Sequence, residues 1–183
     1  MKAGVSIERE VKLRIASPQA GRELLLGAGA ALVGIRELED NAVYDDAALT
    51  LRGGGATLRL RRTPSGATFT YKGPRLMVEG VKTREEQETS VGDPGALDAT
   101  LQALGYRVVF RYEKYRETWS LGGAEVVVDE TPIGCFLEIE GEVATIHGVA
   151  SSLGFSPRDY LADSYVALFF ASGGRGNMTF PRS

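Results

Sequence analysis

The sequence holds one cysteine, one histidine and one tryptophan in 183 residues. A single cysteine, Cys135, excludes a disulfide framework and suits a reducing compartment. One imidazole, His147, and one thiol cannot build a zinc site of the usual His/Cys kind. The same scarcity argues against a Ser-His-Asp or Cys-His enzyme, because His147 falls in a predicted helix far from any nucleophile-like turn. No run reaches the ~18–20 apolar residues of a spanning helix. Met1–Ser6 leads straight into a charged strand, which reads as no signal peptide. The expectation is a cytoplasmic protein without a membrane partner. An acidic pI near 5.3, with carboxylates interleaved among the basic residues, disfavours nucleic acid as well. What remains is chemistry built from carboxylates, Lys, Arg and Tyr.

Those groups are plentiful. Lys and Arg number 21 against 24 Asp and Glu, and the net charge of −3 hides strong clustering. In Ser6–Ala16, Ile7, Val11, Leu13 and Ile15 alternate with Glu8, Glu10, Lys12 and Arg14, the period-2 pattern of a strand with one charged face. Arg59 and Arg61 alternate with Leu58 and Leu60, and Pro64-Ser65-Gly66 turns this strand into a return strand ending at Lys72. Arg84, Glu86 and Glu88 share one face; so do Lys114 and Arg116, and so do Glu138 and Glu140. Asp129 opposes Val126 and Val128. Ser17-Pro18, Asp93-Pro94 and Ser156-Pro157 each read as a cap followed by the first residue of a helix. Gly73–Thr83 reads as a long loop. Three Glu-x-Glu strands are each followed by a short helix, which suggests two related halves closing into one sheet. The expected organisation is a single domain over 1–172 and a flexible tail over 173–183.

Half-buried antiparallel strands ordinarily turn a polar face to water. Here, however, like charges repeat two residues apart, ~7 Å along one face, a spacing suited to a multiply charged ligand. If the helices cover the apolar face, the charged face can line a closed barrel. A lumen with both signs needs compensation. A polyanion for the basic residues and a divalent cation for the carboxylates would supply it, as in a metal-bound phosphate chain. Other readings are a non-catalytic polyphosphate or anion binder, and a barrel whose charges point outward around an apolar lumen.

The motifs together resemble the CYTH superfamily, the triphosphate tunnel metalloenzymes. They are Ile7-Glu8-Arg9-Glu10-Val11-Lys12, Tyr44-Asp45, Leu58-Arg59-Leu60-Arg61-Arg62-Thr63, Tyr71-Lys72-Gly73-Pro74, Arg84–Glu88, Lys114-Tyr115-Arg116, Val128-Asp129-Glu130 and Leu137-Glu138-Ile139-Glu140-Gly141. The ending, Leu153-Gly154 and Ser164–Leu168, is most similar to the class IV adenylyl cyclase branch. The resemblance implies an α+β protein with an eight-stranded antiparallel tunnel and covering helices. It implies one or two Mg²⁺ or Mn²⁺ ions held by Glu8, Glu10, Asp129, Glu138 and Glu140, with Glu86 and Glu88 completing an acidic wall. It also implies a basic wall of Lys12, Arg59, Arg61, Lys72, Arg84, Lys114 and Arg116 gripping a triphosphate: ATP, tripolyphosphate or thiamine triphosphate. Lys72 and Tyr44 are the candidates for acid–base help. The implied reaction is ATP to cyclic AMP and pyrophosphate, with triphosphate hydrolysis as the alternative. A homodimer is left open. Asp46 stands where the family pattern favours Thr, and no lysine occupies the C-terminal helical region, where Arg158 is the nearest basic residue.

Overall fold

The computed structural model describes residues 6–182. Met1–Val5, on which the signal-peptide reading rests, and Ser183 lie outside the described residues. In chain order the elements are β1 (Ser6–Ile15), α1 (Pro18–Gly27), β2 (Ala31–Asp45), α2 (Thr50–Gly53), β3 (Thr57–Thr63), β4 (Gly66–Lys72), β5 (Leu76–Val78), β6 (Val81–Ser90), α3 (Pro94–Ala103), β7 (Arg107–Leu121), β8 (Ala124–Thr131), β9 (Gly134–Glu140), α4 (Val143–Ser152), a 3₁₀ turn (Pro157–Asp159) and α5 (Tyr165–Ala171). The strands hydrogen-bond in the order β1-β9-β8-β7-β2-β3-β4-β6, and β6 pairs back onto β1. This closes an antiparallel eight-stranded barrel. Closure leaves few free edges, and the short β5 extends it beside β6.

Alternation along each strand divides the molecule into an outer and an inner face. Outside, Val11, Leu13, Ile15, Val126, Val128, Leu137 and Ile139 pack under α1 and α4 against Leu25, Ile146, Val149, Ala150 and Leu153. Leu13, Leu137 and Ile139 are fully buried, each contributing about 1.5–3 kcal/mol by removal from water. Gly21 lets α1 lie this close: a Cβ there would come within 2.7 Å of Ile15 Cδ1. A second outer cluster joins Ala42, Tyr44 and Leu60 to Leu101 of α3. Ser17 and Asp93 cap α1 and α3 as expected, accepting from the backbone of Ala20 and of Gly95 and Ala96.

Three expectations are corrected. Gly73–Thr83 is a hairpin: Leu76, Met77 and Val78 pair with Thr83, Lys82 and Val81 around a turn at Glu79-Gly80. All three β5 side chains are exposed, so they carry no alternation from which a strand could be read. Ser156-Pro157 opens only the 3₁₀ turn; the last helix starts afresh at Ser164, whose hydroxyl accepts from Ala167 N–H. The tail expected to be flexible is docked. Met178 is buried, its backbone bridges Arg111 and Glu113, and Phe180 packs on Tyr115 at 5.2 Å. One apolar anchor in a Gly-rich stretch escapes a compositional reading.

Candidate active site in the barrel lumen

The inner face is built from the charged halves of the alternating strands. β1 contributes Glu8, Glu10 and Lys12, and β2 contributes Glu39 and Asn41. Arg59 and Arg61 come from β3, Thr70 and Lys72 from β4, and Lys82, Arg84, Glu86 and Glu88 from β6. Tyr112, Lys114 and Arg116 come from β7, Asp129 from β8, and Glu138 and Glu140 from β9. The outward-charge reading is therefore excluded. Arg14, on the same face of β1, is exposed near one end of the barrel over the Phe136 ring.

The charges interleave. They do not form separate acidic and basic walls. Lys72 Nζ lies 2.5 Å from Glu8 and 3.0 Å from Glu86, and Arg84 reaches Glu8 at 2.7 Å. Lys82 pairs with Glu10, and both Lys12 and Arg116 pair with Glu138. Glu39 meets Arg61 at 3.1 Å and Lys114 at 3.5 Å. Arg61 also reaches Glu88 at 3.3 Å. An unpaired ion in such surroundings is costly, so opposite charges on neighbouring strands close onto one another.

At one end of the lumen lies an aromatic floor. Phe110, Tyr112 and Phe136 pack with Tyr165 of α5 and with Met178. Directly above, Asp129 is wholly buried and accepts from Lys114 Nζ at 2.9 Å, from Arg116 at 2.8 and 2.6 Å, and from Tyr165 Oη at 2.7 Å. Lys12 Nζ sits 4.1 Å from the centre of the Tyr165 ring, a cation–π contact. Burial opposes the charge on Glu138, but Lys12, Arg116 and Lys114 outweigh it and hold this carboxyl far below the usual range. Burial likewise opposes the charge on Glu39, where Lys114, Arg116 and Arg61 prevail.

The opposite end is different. Glu10 and Glu125 stand directly across from Glu140 on the two flanking strands. Glu140 has no ion-pair partner among the described residues. Partial desolvation, followed by the charges of Glu8 and Glu10, pushes its carboxyl up to about 7. This is the signature of hard oxygen donors short of positive charge. Among the described residues no three acidic or His/Cys side chains converge on one point to hold an ion.

Of the residues singled out in the sequence, Tyr44 alone is misplaced. It packs on the outer face, where its hydroxyl donates to Asp98 of α3 at 2.6 Å. Burial and that bond push the phenol up to about 12. Glu39, Asn41, Lys82, Tyr112 and Tyr165 belong to the lumen and were not singled out. Glu39 and Asn41 share a face with each other, a period-2 signal obscured by Asp40 between them. Lys82 fell in the supposed loop, and Tyr165 reads as an apolar helix residue.

Residues 6–154 match the CYTH domain family. The chain belongs to that family. A protein of Methanocaldococcus jannaschii, named as a candidate adenylate cyclase, is 27% identical over 142 residues, covering 77% of this chain and 80% of its own. A Vibrio parahaemolyticus structure described in the same way superposes with a TM-score of 0.80 at 19% identity, covering 91% of this chain and 99% of that one. A Hippeastrum adenylyl cyclase candidate, for which a dominant triphosphatase activity is described, superposes with a TM-score of 0.68 at 20% identity, covering 92% and 97%. At those identities the two structures establish the tunnel fold of this CYTH chain. No helix among the described residues is long and apolar enough to cross a membrane.

Proposed function

We propose that this CYTH protein is a divalent-cation-dependent enzyme acting on a triphosphate inside the barrel, in the adenylyl cyclase manner: ATP to cyclic AMP and pyrophosphate. The observation that carries the reading is the charge arrangement of the lumen. Seven cations, Lys12, Arg59, Arg61, Lys72, Arg84, Lys114 and Arg116, converge from five strands toward one interior. Guanidinium forks match phosphate oxygens, and Lys acts as a point charge. Phosphoryl transfer needs mainly positioning and neutralisation, which such a cage supplies.

A hard divalent cation fits the carboxylate-rich end. Glu140 lacks an ion-pair partner among the described residues, and Glu8 and Glu10 lie near enough to raise its pKa. These three would hold Mg²⁺ or Mn²⁺, with Glu138 on the same face of β9. The bound ion would neutralise phosphate charge and polarise the phosphoryl group. Phosphates in the lumen would compete for the lysines and arginines that hold Glu8, Glu10 and Glu138, and would so strengthen the hold of these carboxylates on a cation that the Glu140 end already attracts. Lys72, between Glu8 and Glu86, is the candidate for moving a proton at Nζ. Tyr44 is withdrawn from that role because its hydroxyl lies outside the lumen.

The second reading is hydrolysis of tripolyphosphate, thiamine triphosphate or a nucleoside triphosphate, favoured by the activity described for the Hippeastrum neighbour. Incubation with ATP and with tripolyphosphate, each with Mg²⁺ or Mn²⁺, followed for cyclic AMP and orthophosphate, separates the two. Cyclic AMP supports cyclisation, and orthophosphate supports hydrolysis. No turnover of any triphosphate by protein that binds the cation leaves only a binder.

A further inference from the structure

We infer that Asn41 binds the ligand directly, its side-chain amide donating to a phosphoryl oxygen between Arg59 and Arg61. The inference rests on the reading that the lumen takes a triphosphate. Asn41 is fully buried, yet neither Oδ1 nor Nδ2 has a hydrogen-bond partner among the described residues. Native proteins rarely leave a buried amide so unserved. Its direction is fixed by β2, which puts Asn41 on the inner face with Glu39. In register it stands opposite Arg61 on β3 and Tyr112 on β7.

The unspent groups are not confined to Asn41. Arg59 Nε and Arg61 Nε are also buried without a partner. Their other nitrogens are engaged: Arg59 with Tyr112 and Thr70 at 3.3 Å each, Arg61 with Glu39 and Glu88. Three donor nitrogens on two adjacent strands, with the amide acceptor Asn41 Oδ1 beside them, thus remain unpartnered among the described residues on one stretch of the wall. The one orphaned acceptor of the neighbouring acid, Glu39 Oε2, lies 3.5 Å from Lys114 Nζ and is compensated in charge. A cluster of spare donors backed by cations calls for an anionic, oxygen-rich partner. Phosphoryl oxygens meet that description. Asn41 adds what the cations lack, a neutral donor fixed by the strand that stays in place when ion pairs rearrange.

The test uses the full chain with Mn²⁺ and inorganic tripolyphosphate, read by thermal shift and titration calorimetry. Asn41→Leu keeps the side-chain size and removes both orphaned atoms. Its melting temperature without ligand should equal or exceed that of the wild type, because nothing in the protein loses a bond. Its tripolyphosphate affinity should fall about tenfold or more, with a smaller ligand-induced shift. Asn41→Asp, of the same shape, should lose more, because it sets a negative charge against phosphate. Wild-type affinity in both variants would overturn the role of Asn41 while leaving the lumen reading intact. If Asn41→Leu fails to fold, Asn41→Asp decides: unchanged affinity overturns the role. A wild type that tripolyphosphate neither binds nor stabilises overturns the lumen reading, and this inference with it.

Discussion

The two ends of the lumen use the same residue types to opposite effect. At the floor, Asp129 is held by two cations and a phenol over aromatic packing. At the far end, Glu140 faces Glu10 and Glu125 across the sheet with no cation of its own among the described residues. The floor is satisfied by the protein alone and contributes to stability. The Glu140 end is unsatisfied and is suited to a ligand. Strand alternation delivers charge to both ends, and the difference comes from what stands in register.

The sharpest break of this contrast is Asp129→Asn. It leaves Lys114 and Arg116 short of their buried counter-charge and should destabilise the fold by about 3–5 kcal/mol, read from urea unfolding. Glu140→Gln should do the reverse, costing at least about tenfold in metal-dependent turnover with no loss of stability. A Glu140→Gln protein as unstable as Asp129→Asn would erase the distinction.

Removing only the floor hydroxyl is gentler. Tyr165→Phe should cost roughly 1–2 kcal/mol, the value of one hydrogen bond to a charged group, with the same unfolding curve as readout.

Acidity offers a finer test. Partial burial and the nearby Glu8 and Glu10 push the Glu140 carboxyl up to about 7 in the folded protein, from an ordinary value near 4.5. Between those values the native state keeps a proton that the unfolded chain has released. Stability therefore falls as pH rises through this window and levels off above it. Glu140→Gln lacks that loss. At pH 8 it should exceed the wild type by on the order of 1 kcal/mol, reduced by solvent screening because Glu140 is exposed. At pH 4 the two should coincide. Equal stability at both pH values would contradict the crowding of carboxylates around Glu140.

The smallest effect belongs to the outer wall. Tyr44→Phe should cost about 1 kcal/mol through its bond to Asp98 and leave turnover unchanged. A large drop in turnover would return Tyr44 to the chemistry.

Much of this was legible in the sequence. The Glu8/Glu10/Lys12 and Arg59/Arg61 alternations placed those side chains on the inner face, because period 2 needs only strand geometry. Tyr44 went wrong because it follows the alternation that sends Asn41 inward and Ala42 outward, which the β2–β3 register keeps through Tyr44 opposite Leu58, and residue type does not say which face a tyrosine takes. Separate acidic and basic walls were expected, whereas cross-strand register pairs Lys12 with Glu138 and Lys82 with Glu10. Register between distant strands is a tertiary fact. Lys82 and Met178 hid in stretches whose exposed or Gly-rich composition masks order.

The Glu140 end should bind a divalent cation and the floor should not. Free Mn²⁺ can be counted by electron paramagnetic resonance during titration of the wild type, Glu140→Gln and Tyr165→Phe at pH 5.5 and 8. Wild type and Tyr165→Phe should bind Mn²⁺ alike, more tightly at pH 8 as Glu140 gives up its proton, and Glu140→Gln should bind at least about tenfold more weakly. Equal, pH-independent binding by all three proteins would contradict this.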